Sequence, residues 1–262
     1  APLDTTFRLM GGGAEGTLGE TLSWAFGIVA AVIAVALILM SRRRKVGHGF
    51  AVKPAWAEAI LATLIAGLII AFVAVMNAYP IPKGAMKRIA AAEGIEYTDA
   101  LVWYHGVAIP VVILIGVTAV MTIIATRTRF GRYIYATGGN PEAAALSGIN
   151  TRLLTVKVFA LMGALTGISA IIASARLNAV DVGLGTLDEL RVIAAAVIGG
   201  TALSGGFGTI YGAVIGALIM QSLISGMASV GVDAPLQSIV VGIVLVFAVW
   251  IDIIYRRKTG AA

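Results

Sequence analysis

Cysteine is absent from the 262 residues, and His48 and His105 are the only histidines. Disulfides, thiolate metal sites and cysteine nucleophiles are thereby excluded, and a histidine-rich metal centre has too few ligands. Charge is scarce as well: Asp, Glu, Lys and Arg together make up 12% of the chain, against 59% hydrophobic residues and a mean hydropathy of +0.97. An ordinary soluble domain is about one quarter charged, so this chain lacks the polar cover that a water-facing surface needs. No Gly-Lys pair occurs, which removes the phosphate-cradling loop with its Lys and Ser/Thr. The chain therefore cannot bind and hydrolyse ATP in that way.

What is present is a series of long apolar runs. A helix crossing ~30 Å of hydrocarbon at 1.5 Å per residue needs about 20 residues. Six runs qualify: Trp24 to Met40 (extended by Leu18 to Ser23), Trp56 to Ala78, His105 to Ala125, Leu153 to Ala175, Thr209 to Val230 and Leu236 to Tyr255. They are apolar on every side, as lipid-facing helices must be. Arg191 to Gly200 is apolar but too short to span.

The charges set an orientation. Arg42, Arg43, Arg44, Lys45 and Lys53 follow the first run, while Arg127, Arg129, Arg132, Arg152 and Lys157 bracket the loop after the third. Arg256, Arg257 and Lys258 close the chain. A zigzag through the runs puts these clusters, and so the C-terminus, on the cytoplasmic side. Glu93, Glu96, Asp99, Asp181, Asp188, Glu189 and Asp233 fall on the other. The sequence pI near 9.8 reports membrane topology; no basic face interleaved with aromatics offers itself to nucleic acid.

The zigzag requires an even number of crossings between Ala175 and Leu236. Arg191 to Gly200 supplies the return as a broken or half-spanning helix, followed by a Gly-rich bend ending near Gly208. Irregular backbone at membrane depth survives only inside protein or beside a water-filled cavity. The alternative is a plain short loop at the cytoplasmic face.

Gly208, Gly212 and Gly216 recur every fourth residue, as do Gly163 and Gly167. This spacing predicts shared helix faces where another backbone approaches closely. Ionisable residues in the runs (Glu58, His105, Arg191, Asp252) lie near their ends, which disfavours a proton relay. Charged rings or a carbonyl filter for ions are not evident either. Neutral groups such as Asn77, Thr166, Ser169, Thr201, Ser204 and Gln221 remain, able to hydrogen-bond an uncharged polyol or simply one another.

The most distinctive stretch, Thr128 to Asn150, reads TRFGRYIYATGGNPEAAALSGIN. It predicts a basic entry, a Gly-Gly bend and a helix of about two turns. Asn140 suits the N-cap, Pro141 the first helical position and Glu142 the positive helix end. Gly148 suits the stop. Such a helix outside the membrane could press on a partner protein or serve as a capped connector.

Arg127 to Ile149 closely resembles the cytoplasmic coupling region of ribose- and xylose-type ABC sugar permeases. The stretches ARLN at 175–178, LDEL at 187–190, IAAAVIGGT at 193–201 and LSGGFGTIYG at 203–212 are similar to the same family, so the likeness runs from Arg127 to the C-terminus. The portion before it, including Arg42 to Lys45 and the Pro80-to-Tyr104 loop, is most like the xylose-type branch.

The resemblance implies an all-α fold, a polytopic bundle of transmembrane helices forming a single permease domain over 1–262, with 126–152 as a cytoplasmic coupling loop. In that loop Asn140, Pro141, Glu142, Ala143, Ala144 and Gly148 would couple to the ATPase. Asn178, Thr201, Ser204 and Gln221 are the candidate substrate-pathway residues, and Gly163, Gly167, Gly208, Gly212 and Gly216 the candidate packing residues.

The implied partners are a second permease copy, an ABC ATPase at the cytoplasmic face carrying ATP and Mg, and a periplasmic or lipid-anchored sugar-binding protein. The setting is the bacterial inner membrane. The cargo is xylose or a related pentose, with ribose, another sugar or a nucleoside as alternatives. This chain would be no enzyme and would bind no cofactor or metal. Ala1 would fall in an extracytoplasmic loop, with further helices upstream, so that the chain is the C-terminal two-thirds of a subunit. From another class, an ion-coupled secondary transporter needs a gradient in place of an ATPase, and a non-transporting scaffold would leave ATP hydrolysis indifferent to sugar.

Overall fold

The computed structural model describes residues 5–13, 16–49, 52, 54–94, 96, 98, 103–179 and 182–259. Among them every regular element is a helix: α1 (Thr5–Met10), α2 (Gly19–Gly47), α3 (Ala55–Ala78), α4 (Lys83–Glu93), α5 (Ile109–Arg127), α6 (Arg129–Gly139), α7 (Pro141–Leu146), α8 (Thr151–Leu177), α9 (Asp188–Ile198), α10 (Ile210–Ser229) and α11 (Ala234–Thr259). Six of them, α2, α3, α5, α8, α10 and α11, are long and apolar enough to cross a membrane. Their outer faces carry large apolar side chains in the open, Leu68 at 73% exposure among them. In water each such side chain would cost about 1.5–3 kcal/mol relative to burial. In hydrocarbon that penalty vanishes.

The chain divides into two compact units, 1–113 with 169–179, and 114–168 with 180–262. In the first, α2 and α3 pack together where Gly27 faces Val73. Residues 103–108 pair with both 16–18 and 79–81 through isolated bridges: Leu18 N donates to Val107 O at 3.0 Å, and Ile81 N to Trp103 O at 2.8 Å. The Ser23 hydroxyl, fully buried, accepts the Val107 N–H at 2.8 Å. α5 consequently begins at Ile109, four residues after the expected His105. Gly106, at φ +70°, leaves no room for a side chain beside Ser23. α4, not anticipated from the sequence, packs Ala85, Met86 and Ile89 with Ile81 and Trp103. Asn77, near the end of α3, is buried with neither amide atom paired among the described residues.

In the second unit α9 packs against α10 and α11 around Ala194, Ala195, Met220 and Val241. α9 has 11 residues, about 16 Å at 1.5 Å per residue, half of what a crossing needs. It starts at Asp188, a turn before the expected Arg191, with Asp188 and Glu189 at its positive end. Its C-terminus is closed by two backbone bonds, Gly200 N to Val197 O and Thr201 N to Ala196 O, both 2.9 Å. This is the glycine-terminated cap in which a left-handed residue satisfies the last carbonyls, and Gly200 has φ +82°.

Candidate functional site

The stretch from α5 to α8 is helical almost throughout, joined by very short connections. At the first, the Thr128 hydroxyl donates to Ile124 O of α5 at 2.6 Å and accepts Gly131 N of α6 at 3.2 Å. A Cβ on Gly131 would overlap the Ala125 carbonyl, so the turn from α5 into α6 closes only with glycine there.

At the second, Asn140 serves two helices. Its N–H donates to Ala136 O at 3.1 Å, ending α6, and its Oδ1 accepts Ala143 N at 2.9 Å, starting α7. Such a side-chain cap is worth about 0.5–2 kcal/mol. Pro141 occupies the first helical position and Glu142 the first turn. The expected Gly-Gly bend is not where the chain turns. Gly138 and Gly139 finish α6 as helix, and the change of direction falls on Asn140, whose backbone is extended at φ −154°.

α7 is shorter than two full turns, ending at Leu146. Gly148 N bonds Ala145 O at 3.0 Å and Ile149 N bonds Ala144 O at 3.1 Å, with Gly148 at φ +87°. Asn150 then caps α8 through Leu153 N at 2.9 Å. Ala144 is buried, holding α7 to the fold, while Glu142, Ala143 and Ala145 stand exposed and Leu146 projects at 91% exposure. The open face of α7 thus presents one apolar side chain and one carboxylate.

The candidate packing glycines divide. Gly212 and Gly216 lie against α9: a Cβ on Gly212 would overlap Gly199 O, and one on Gly216 would overlap Ala195 O. Gly208 does not share their helix face, because α10 starts at Ile210 with Thr209 as its cap, accepting Gly212 N at 3.0 Å. Gly208 instead stands in the preceding turn at φ +150°, its α-carbon against Thr201. Around Gly163 and Gly167 no atom lies within 4 Å of a Cβ position among those described.

The pathway candidates are placed as follows. Thr201 closes α9 and faces Gly208, and Ser204 is exposed in the turn between α9 and α10. Gln221 is exposed on α10, donating to Ser225 Oγ at 3.2 Å. Asn178 follows α8 with a left-handed backbone, φ 54°. A depression on α11, lined by Ile239, Gly242, Ile243, Val246 and Phe247, offers a polyol no hydrogen-bonding side chain. Among the described residues no group of three or more His, Asp or Glu could hold a metal ion.

Residues 12–249 match the family model described as branched-chain amino acid transport system / permease component. The xylose transport system permease protein of Escherichia coli K12 is 47% identical over 156 residues, 60% of this chain and 40% of the relative. The ribose import permease protein of the same organism is 33% identical over 263 residues, 94% of this chain and 79% of the relative. A probable ABC transporter permease protein, also of Escherichia coli K12, is 34% identical over 190 residues, 71% of this chain and 54% of the relative. The chain thus spans about two fifths of the xylose-system relatives it matches. No solved structure matches it significantly.

Proposed function

This chain belongs to the family of branched-chain amino acid transport system permease components, and from that premise we propose that it is the membrane-spanning part of an ATP-driven pentose importer. It is a multi-pass membrane protein, and its relatives are transport subunits rather than enzymes. In this reading the ATPase, with its ATP and Mg, is a separate cytoplasmic subunit. A sugar-binding protein delivers cargo from the other side of the bacterial inner membrane, and a second copy of the permease completes the pore.

The observation that carries the proposal is α7: a capped helix held down at Ala144 and open at Glu142 and Leu146. In this reading it is the part of the second unit that the ATPase grips. ATPase closure would displace α7, and alternating access would follow as the attached helices move. Neutral side chains at Thr201, Ser204, Gln221 and Asn178 would hydrogen-bond a sugar briefly without holding a charge. The xylose-system relatives' higher identity supports xylose over ribose as the cargo.

Glu142→Arg reverses the charge on the open face of α7. In vesicles holding the full-length permease with its ATPase and binding protein, this substitution should uncouple ATP hydrolysis from uptake. Unchanged uptake would refute the assignment of α7. Competition of labelled xylose by unlabelled ribose then decides the cargo: an importer that prefers ribose would overturn the xylose choice alone.

A further inference from the structure

α6 makes a second contact that its role as a connector does not require. Tyr135 Oη donates to Gly208 O at 2.9 Å, bridging α6 to the turn between α9 and α10. Three residues on, and therefore on the same helix face, Gly138 meets that turn backbone to backbone. A Cβ on Gly138 would overlap Gly206 N, and one on Gly205 would stand 2.7 Å from Gly138 O.

Glycine weakens a helix interior, and Gly138 is not in the left-handed region that demands it. Close approach to the turn is the remaining reason for its place in α6. The turn is itself tied to the helices beside it. Ala202 N bonds Phe207 O at 3.0 Å, closing the turn on itself, and at its start Gly199, the residue that ends α9, touches Gly212 of α10.

We infer that α6 is a strut that carries displacement of α7 to the α9–α10 turn, with Tyr135 and Gly138 as its positioning residues. The inference rests on α7 being the ATPase-facing helix. Its physical basis is continuity: Asn140 joins α6 to α7 with no intervening linker, and the Tyr135–Gly138 face joins α6 to the turn by a hydrogen bond and a backbone contact. α9 ends at that turn and packs on α10 and α11, so a push delivered there reaches both of those helices through it.

The test uses the full-length permease with its ATPase and binding protein in vesicles, measuring ATPase retention and sugar taken up per ATP hydrolysed. Tyr135→Phe removes one hydroxyl and should lower uptake per ATP roughly three-fold, the scale of one neutral hydrogen bond. ATPase retention should be unchanged. Gly138→Ala, which forces the backbones apart, should lower uptake per ATP further. Tyr133→Phe is the control, since Tyr133 lies two residues away with its side chain exposed, and it should behave as the parent.

Tyr135→Phe decides the matter even if Gly138→Ala fails to accumulate. Parental uptake per ATP in Tyr135→Phe overturns the strut, as does an equal loss in Tyr133→Phe or a loss of ATPase retention in Tyr135→Phe. Failure of the α7 assignment is read separately, from Glu142→Arg.

Discussion

Gly216 of α10 sits so close to Ala195 of α9 that a Cβ at position 216 would overlap the Ala195 carbonyl oxygen. No rotamer change relieves this, since both atoms belong to the backbone. Gly226, on the same helix, has nothing within 4 Å of its Cβ position. Gly216→Ala should therefore destabilise the fold by about 1–3 kcal/mol through overpacking. Gly226→Ala should be neutral or stabilise by a few tenths to ~1 kcal/mol, because alanine restricts the unfolded chain. Thermal unfolding of both variants in detergent distinguishes them, and equal melting temperatures would contradict the close packing of α9 on α10.

Ser23 gives the first unit its own test. Its hydroxyl accepts the Val107 N–H at 2.8 Å and is wholly buried. Ser23→Ala would strand a buried donor, at a cost of about 1–3 kcal/mol. The melting temperature should fall, and hydrogen exchange at the Val107 amide should quicken more than at amides within α2.

Sidedness can be read directly: these 262 residues contain no cysteine, so a thiol introduced among them is read against the unsubstituted protein as its blank. A cysteine in place of Leu146, in the open beyond α7, should react with a membrane-impermeant maleimide only from the cytoplasmic side. One in place of Val182, fully exposed before α9, should react only from the opposite side. Labelling of both from one side would overturn the topology.

Asn140→Ala should loosen α7 at a cost of about 0.5–2 kcal/mol, whereas Asn140→Asp keeps an acceptor at the cap. Affinity for the ATPase should fall in the alanine variant and recover in the aspartate one. Equal affinity in the two would separate the cap from docking.

The six long helices were legible because their signal is compositional and local: apolar runs of sufficient length state the solvent and the secondary structure at once. Errors fell where distant residues decide. The start of α5 follows Val107, whose N–H is held by Ser23, 84 residues before it along the chain, and no pattern around His105 records that. Gly138 and Gly139 read as a bend because glycine usually marks one. Their reason is instead a backbone from residues 205–206, which spacing cannot reveal.

Gly208 fits a four-residue glycine repeat, yet Thr209 caps α10 after it, and the local signal was a threonine, favoured at the N-cap, just before the apolar run. α4 also left a trace. Ala85, Met86, Ile89 and Ala90 recur at helical spacing between Pro82 and Gly94, a period too short to stand out beside the long apolar runs on either side. The caps of α7 were readable in full, since Asn140, Pro141, Glu142 and Gly148 act within their own turn.

Single-residue joints at Thr128 and Asn140 leave the segment between α5 and α7 with no slack. An ordinary surface loop absorbs an added residue by bulging; here an added residue inside α6 would turn everything beyond it by about 100°. Tyr135 and Gly138 would then face away from the turn they touch. Length variation among related chains should accordingly avoid this stretch, or arrive in steps of three or four residues that restore the helical phase.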